Sequence, residues 1–317
     1  MEALNDSSKM TVYLGFPKSS PTLTIKQMPD GKIGGNPLFL LSEPLAPECC
    51  GIPSKFICQI SAPGDDDSSY YRYLYVFQCL TCKLPSAFRA QLPKENPLIQ
   101  EEQNESNEPL DSGWDTVPDS SDLLNMMDNL EDTKVSKKDL TFEIFQEDEK
   151  ATEVINKLYR ADLQNKEMVK DIYEFMEAPF DEEEEEDIPF EEEEGEDPEE
   201  DKDANDLMKL IAKNQKDSKD ISFDVLKWCR DLDPTQCIRY GKRILPLWYS
   251  DKGRPAERIE NCTCGEARIF EFQVLPQILN YIKEDELDFG TILVYTCPNS
   301  CQIEGYAREV ALLQASI

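Results

Sequence analysis

Over residues 11–100 the apolar side chains come in short runs broken by polar and turn-forming residues, the pattern of strands rather than helices. A short strand is predicted over 11–16 and another over 70–79, a run of Tyr, Leu, Val and Phe. A turn is predicted at Gly34-Gly35-Asn36-Pro37. From 97 to 118 Glu, Asn, Ser, Asp and Pro dominate, too polar to offset the entropy of ordering, so this stretch reads as a linker. Leu123, Leu124, Met126, Met127 and Leu130 follow Asp119-Ser120-Ser121-Asp122, which predicts a short capped amphipathic helix suited to docking a partner. A longer helical stretch is predicted over 140–176, with Ile144, Ile155, Leu158, Leu163, Met168, Ile172 and Phe175 as its apolar positions. Residues 181–203 are almost all Glu and Asp, and their mutual repulsion predicts disorder.

Helical patterns return at 204–213 and 223–231, and Asp233-Pro234-Thr235-Gln236 opens a predicted short helix through Arg239 and Tyr240. Strands are predicted at 268–274, 291–297 and 309–314, with a helix over 276–283.

The chain also repeats itself. A shift of 214 places Cys50, Phe56, Gln59 and Ile60 on Cys264, Phe270, Gln273 and Val274. A shift of 218 places Leu74, Val76, Phe77 and Cys79 on Ile292, Val294, Tyr295 and Cys297, and Pro37-Leu38-Phe39 echoes Pro246-Leu247-Trp248. The expected fold is mainly β with inserted and flanking helices (α+β). Two β-rich repeats form one duplicated, zinc-containing unit, interrupted by an acidic, partly disordered insert. The expected parts are 1–100, 101–203 and 204–317.

The repeat aligns the cysteines. The C-terminal copy carries Cys262, Cys264, Cys297 and Cys301, and the N-terminal copy Cys49, Cys50, Cys79 and Cys82. Two close cysteine pairs, the second ending a strand, are the arrangement of a tetrahedral thiolate zinc site, structural because no position is left open for water. One or two zinc ions are therefore expected. Whether Cys49 or Cys50 is the ligand stays open, since adjacent thiolates chelate one ion awkwardly. Cys58, Cys229 and Cys237 read as core residues, as do Trp228 and Trp248.

Composition narrows the chemistry. There is no histidine, which excludes serine–histidine, cysteine–histidine and histidine–metal catalysis, and no glycine-rich phosphate loop follows a strand, so no enzymatic activity is expected. The net charge is −32, concentrated in 101–200, where 37 acidic residues face 8 basic ones; the remainder holds 28 and 25. Such an insert repels nucleic acid and attracts polycations, so the expected partner is a basic protein, with no direct nucleic-acid binding. The acidic tract reads equally as a clamp for that partner and as a solubilising spacer. Residues 1–10 lack a secretory pattern and no run of 18 apolar residues occurs, so a soluble cytoplasmic protein is expected, with nuclear entry left open.

Several stretches resemble one known family: Val12-Tyr13-Leu14-Gly15-Phe16, Lys32-Ile33-Gly34-Gly35-Asn36-Pro37, Tyr73-Leu74-Tyr75-Val76-Phe77-Gln78-Cys79, Cys264-Gly265, Arg268 with the run from Phe270 to Tyr281, and the run from Gly290 to Cys297. They resemble the programmed cell death protein 2 family, in its 20S rRNA accumulation protein 4 branch. The resemblance covers both β-rich parts and not the insert. It implies a dedicated cotranslational chaperone that captures one newly made, basic small-subunit ribosomal protein, number two in the eukaryotic series and homologue of bacterial S-five. Such a chaperone supports small-subunit biogenesis and pre-rRNA maturation, acting as a monomer or a 1:1 client complex. The family pattern has Cys-x-x-Cys where this chain has Cys262-Thr263-Cys264 and Cys49-Cys50, and the inserted MYND finger of some relatives is not visible. The competing expectation is a zinc-stabilised interaction adaptor in transcription or cell-cycle regulation.

Overall fold

The computed structural model describes residues 11–27, 29–95, 139–178, 220–256, 258–301 and 304–316. The linker predicted over 97–118, the helices predicted at 123–130 and 204–213 and the acidic tract 181–203 lie outside these residues. The strands are β1 (Tyr13–Ser20), β2 (Gly31–Ile33), β3 (Glu48–Cys49), β4 (Ile52–Pro53), β5 (Lys55–Ser61), β6 (Tyr71–Gln78), β7 (Pro85–Leu92), β8 (Asp139–Gln146), β9 (Ile238–Tyr240), β10 (Ile269–Val274), β11 (Thr291–Thr296) and β12 (Ala307–Gln314). The helices are α1 (Glu149–Arg160), α2 (Lys166–Glu177), α3 (Ile221–Leu232) and the single turn α4 (Leu279–Ile282). The fold is mainly β with a few helices.

Among the described residues, ten strands form one antiparallel sheet in the order β2-β5-β6-β7-β12-β11-β10-β9-β1-β8, and β3-β4 is a separate hairpin. Its two ends approach each other. Thr141 Oγ1 donates to the Gly31 carbonyl at 2.7 Å, and Lys32 pairs with Asp139. The Phe142 ring lies where a Cβ on Gly31 would come within 2.6 Å of it, so only glycine fits there. The sheet thus curls into a barrel-like shell. Leu74, Val76, Phe272, Val274, Ile292 and Val294 fill its interior.

Strand period explains the burial. On β6, Leu74 and Val76 point into the shell, while Tyr73, Tyr75 and Phe77 point outward into a second apolar cluster with Leu40 and Phe56. Both faces are covered, so this strand reads as a continuous apolar run, and each such side chain contributes roughly 1.5–3 kcal/mol by leaving water. A third cluster joins α1, α2 and α3 to Leu247 and Leu275. Those helices start where polar side chains cap them: Asp148 accepts from the Lys150 N–H, Asn165 from Glu167 and Asp220 from Phe223.

The two flanks of the β7–β12 junction match in detail. The order β2-β5-β6-β7 mirrors β9-β10-β11-β12. β5 bulges between Phe56 and Cys58, and β10 bulges between Phe270 and Phe272, at the same offset of 214 found in the sequence. Buried Gln59 accepts from the Leu38 N–H at 2.6 Å and donates to its carbonyl at 3.0 Å; buried Gln273 does the same to Leu247 at 2.7 and 2.9 Å. Each glutamine amide replaces a missing strand neighbour for the Pro-Leu-aromatic segment.

Several expectations are corrected. Residues 139–146 are strand β8, not the start of a helix over 140–176; the helical remainder breaks into α1 and α2. Phe142 in the shell and the full-length ladder to β1 override the apolar spacing that suggested a helix. Residues 238–240 are strand β9, wedged between β1 and β10, rather than the end of a short helix. The helix expected over 276–283 shrinks to a 3-10 turn and α4, ended by Lys283 at φ 54°. The Gly34-Gly35 turn forms as expected, with φ 57° and 66°. Trp228 and Trp248 are half-buried, whereas Cys58, Cys229 and Cys237 are buried.

Candidate metal centres

The hairpin β3-β4 turns on Cys50 and Gly51, both at positive φ, 54° and 74°, with Cys49 opposite Ile52. This is a type I′ turn, and it presents Cys49 and Cys50 together. Across from them, β6 runs out into Cys79-Leu80-Thr81-Cys82, folded back by Lys83 N–H to Cys79 O at 2.9 Å and Cys79 N–H to Leu84 O at 3.0 Å. The second cluster is built in parallel. Gly265 at φ 94° closes the loop Cys262-Thr263-Cys264 through its N–H to Cys262 O at 2.8 Å, and Ser300 N–H bonds Cys297 O at 3.1 Å beyond β11.

In each group the four sulfurs lie within 4.8 Å of one another. The structure therefore brings together all eight cysteines singled out in the sequence, as Cys49, Cys50, Cys79, Cys82 and as Cys262, Cys264, Cys297, Cys301. Close pairs are Cys49–Cys82 at 3.4 Å, Cys49–Cys50 at 3.9 Å, Cys262–Cys301 at 3.4 Å and Cys264–Cys297 at 3.6 Å. A tetrahedron with metal–sulfur bonds of about 2.3 Å has edges of about 3.8 Å, so both clusters fit a four-thiolate ion with little movement. The hairpin resolves the awkwardness of adjacent ligands: the I′ turn directs both Cys49 and Cys50 toward the cluster.

The thiols carry unequal electrostatics. Cys79 is drawn down to about 6, first by the N–H of Cys82 and also by that of Thr81. Cys262 is also drawn to about 6, because the Cys264 N–H and neighbouring thiols outweigh its burial. Cys49 is pushed up to about 12, chiefly by its hydrogen bond with Cys82, and Cys301 to about 12 by burial and then by Cys262. Each cluster thus holds one ready thiolate, Cys79 or Cys262, beside a thiol that resists ionising, Cys49 or Cys301, an opposition that a bound dication removes.

The surroundings differ. Cys50 and Cys82 are exposed, whereas in the second cluster Cys262 and Cys297 are buried and only Cys264 is exposed. A buried ionic cluster supports this second site. Arg89 on β7 donates through Nη2 to the Cys301 carbonyl at 3.1 Å and through Nε to Glu309 at 2.8 Å. Glu309 accepts from Arg268 Nε at 2.8 Å, and Arg268 Nη1 holds the carbonyls of Glu260 and Asn261, both at 2.8 Å. Gln91 ties down Ser300 O at 2.9 Å. Both cysteine loops are therefore fixed by one Arg–Glu–Arg chain that begins in the N-terminal half. Sequence reading missed Arg89, Gln91 and Glu309, whose only signal was charge and amide in otherwise strand-forming runs.

The fold and its two clusters define a β protein with paired candidate metal centres. Comparison with known proteins gives the family. The model described as programmed cell death protein 2, N-terminal domain, matches residues 11–106, and the C-terminal putative domain matches 220–315. The chain is 33% identical over 336 residues to programmed cell death protein 2 of Mus musculus, covering 94% of each chain. It is 31% identical over 332 residues to the Bos taurus protein, covering 93% of this chain and 94% of that one. A shorter match, 28% identical over 81 residues, is to the probable 20S rRNA accumulation protein 4 of Schizosaccharomyces pombe, covering 22% of this chain and 20% of that one. The chain belongs to the programmed cell death protein 2 family. No solved structure matches it.

Proposed function

We propose that the chain is a zinc-stabilised chaperone, not an enzyme, that binds a newly made basic small-subunit ribosomal protein and thereby supports small-subunit biogenesis. The observation that carries this reading is the family membership, together with the relative whose name refers to 20S rRNA accumulation. The charge agrees with it. A chain of net charge −32 masks a polycation that would otherwise condense on RNA. The client is the ribosomal protein numbered two in the eukaryotic series, held as a 1:1 complex in the cytoplasm.

In this reading zinc occupies both thiolate clusters and clamps the loops that end β6 and β11, acting on folding rather than on chemistry. The mirrored bulges and the paired Gln59–Leu38 and Gln273–Leu247 clamps support descent of the two halves from one duplicated unit, interrupted by the acidic insert. The test is to mix the purified chain with the basic ribosomal protein and bulk RNA at physiological salt. A soluble, RNA-free 1:1 complex is expected, and precipitation of the client with RNA despite excess chain contradicts the reading.

A further inference from the structure

We propose that the outward edge of β8, over residues 143–146, docks an extended basic segment of a partner polypeptide, which adds to the sheet as a further strand. β8 pairs with β1 on one side and, among the described residues, with no strand on the other. The Glu147 N–H donates to Val12 O at 2.8 Å, which fixes the phase of the ladder. The peptide groups of 145 and 147 therefore face β1, and those of Ile144 and Gln146 face outward, offering donors and acceptors to an incoming chain.

The first half of β8 is shielded by β2, through Thr141 on Gly31 O and Lys32 on Asp139. The second half diverges and is exposed throughout. Ile144 is 43% exposed, and Phe145 is 53% exposed, in an edge-on contact with Phe16 at a centroid distance of 5.5 Å. Where the two sheet ends part, a cavity of about 280 Å³ opens, lined by Tyr13, Ile60, Phe142, Ile144, Ile238 and Tyr240. Native edge strands are ordinarily blunted by Lys, Pro or a bulge. Residues 143–146 carry none of these, their one charge being Glu143, which pairs with Lys18 at 3.0 Å, and Ile144 lines the apolar cavity.

Charge selects the occupant. Asp30 lines the cavity and is exposed, and Asp65 nearby is 94% exposed, with Lys242 at a loose 3.5 Å. An apolar floor with an acidic rim fits a strand in which β-branched or aromatic residues alternate with Arg or Lys, the main-chain bonds giving affinity and the cavity specificity. That the natural occupant belongs to a ribosomal protein rests on the reading above; the edge itself does not.

The test uses the full chain and a fluorescent synthetic peptide of alternating valine and arginine, with alternating valine and glutamate as control. Gln146→Pro removes an outward N–H without touching the β1 ladder, and Ile144→Asn makes the cavity wall polar without adding charge. Binding of the arginine peptide, weakened about tenfold or more by either variant at unchanged Tm and accompanied by hydrogen-exchange protection of the Ile144 and Gln146 amides, is the expected result. Should Gln146→Pro lower Tm, Ile144→Asn and the exchange pattern decide. Undiminished binding to both folded variants, protection elsewhere, or no binding to the wild-type chain overturns the edge site. Capture of the ribosomal protein in cells by both variants as well as by the wild type overturns the edge and leaves the chaperone reading standing. Failure of the wild-type chain to capture it overturns that reading, with the peptide result still judging the edge.

Discussion

Arg72 on β6 and Glu271 on β10 meet through two parallel hydrogen bonds of 2.7 and 2.8 Å, although 199 residues separate them in the chain, and neither side chain reaches solvent. Tyr240 donates to the same carboxylate at 3.1 Å, Thr296 also donates to it, and Arg72 holds Ala62 O at 2.9 Å. The pair joins the N-terminal and C-terminal halves inside the shell. Removing one partner leaves a buried charge unanswered. Glu271→Leu alone is expected to cost about 3–5 kcal/mol in chemical denaturation, and Arg72→Met with Glu271→Leu to recover most of it. Equal losses in the single and double variants would contradict this account.

The same carboxylate sets an acid limit. Burial pushes Glu271 up, but the charge and hydrogen bonds of Arg72, with Thr296, more than offset this and hold it below the usual carboxylate range. A depressed folded-state value contributes stability that is complete above the unfolded value of about 4.3 and disappears as pH falls through the folded one. Thermal melts of the wild-type chain should therefore lose stability progressively below that point. Glu271→Gln, with nothing to titrate there, should show a shallower acid limb, and identical limbs would remove Glu271 from the explanation.

Metal content should be one ion per cluster, measured by elemental analysis after purification without added metal. Cys297→Ser should remove the ion of the buried cluster and strongly destabilise the chain, since binding energy of roughly 10–16 kcal/mol at a structural site acts as folding energy. Cys82→Ser, in the more exposed cluster, should lose one ion with a smaller fall in Tm. An unchanged melt for Cys297→Ser would sink the structural role.

Arg89 holds the Cys301 carbonyl at 3.1 Å and reaches the Cys301 sulfur at 3.9 Å, and so orients that loop. Arg89→Lys keeps the charge and loses the fork, so the buried cluster should bind its ion about 10–100-fold more weakly while the other keeps its affinity. Competition with a chromophoric chelator measures both.

Deletion of residues 181–200 removes 15 acidic side chains and no basic one. Client binding should weaken mainly at low ionic strength, where charges act beyond about 10 Å, and little at high salt. Equal weakening at all salt concentrations would mean a specific contact instead.

Much of the β framework was legible because its strands are short, apolar and bounded by turn residues, as with β6, β10 and β11. The cysteine pairs were legible because the repeat aligned them. What escaped depends on partners distant in sequence. β7 looks half-polar because Arg89 and Gln91 serve the far cysteine loops. β8 carries the aromatic and β-branched alternation of a strand, but it adjoins a true amphipathic helix and was absorbed into it. β9 is three residues long, and only pairing with β1 and β10 makes it a strand. The Arg72–Glu271 pair left no mark that either sequence neighbourhood could reveal.

Cotranslational capture is tested by affinity-purifying the chain from actively translating cells and sequencing both the co-purifying proteins and the associated messenger RNA. Enrichment of one basic small-subunit ribosomal protein together with its own messenger is the predicted result. A spread of non-ribosomal partners, without that messenger, would contradict cotranslational capture.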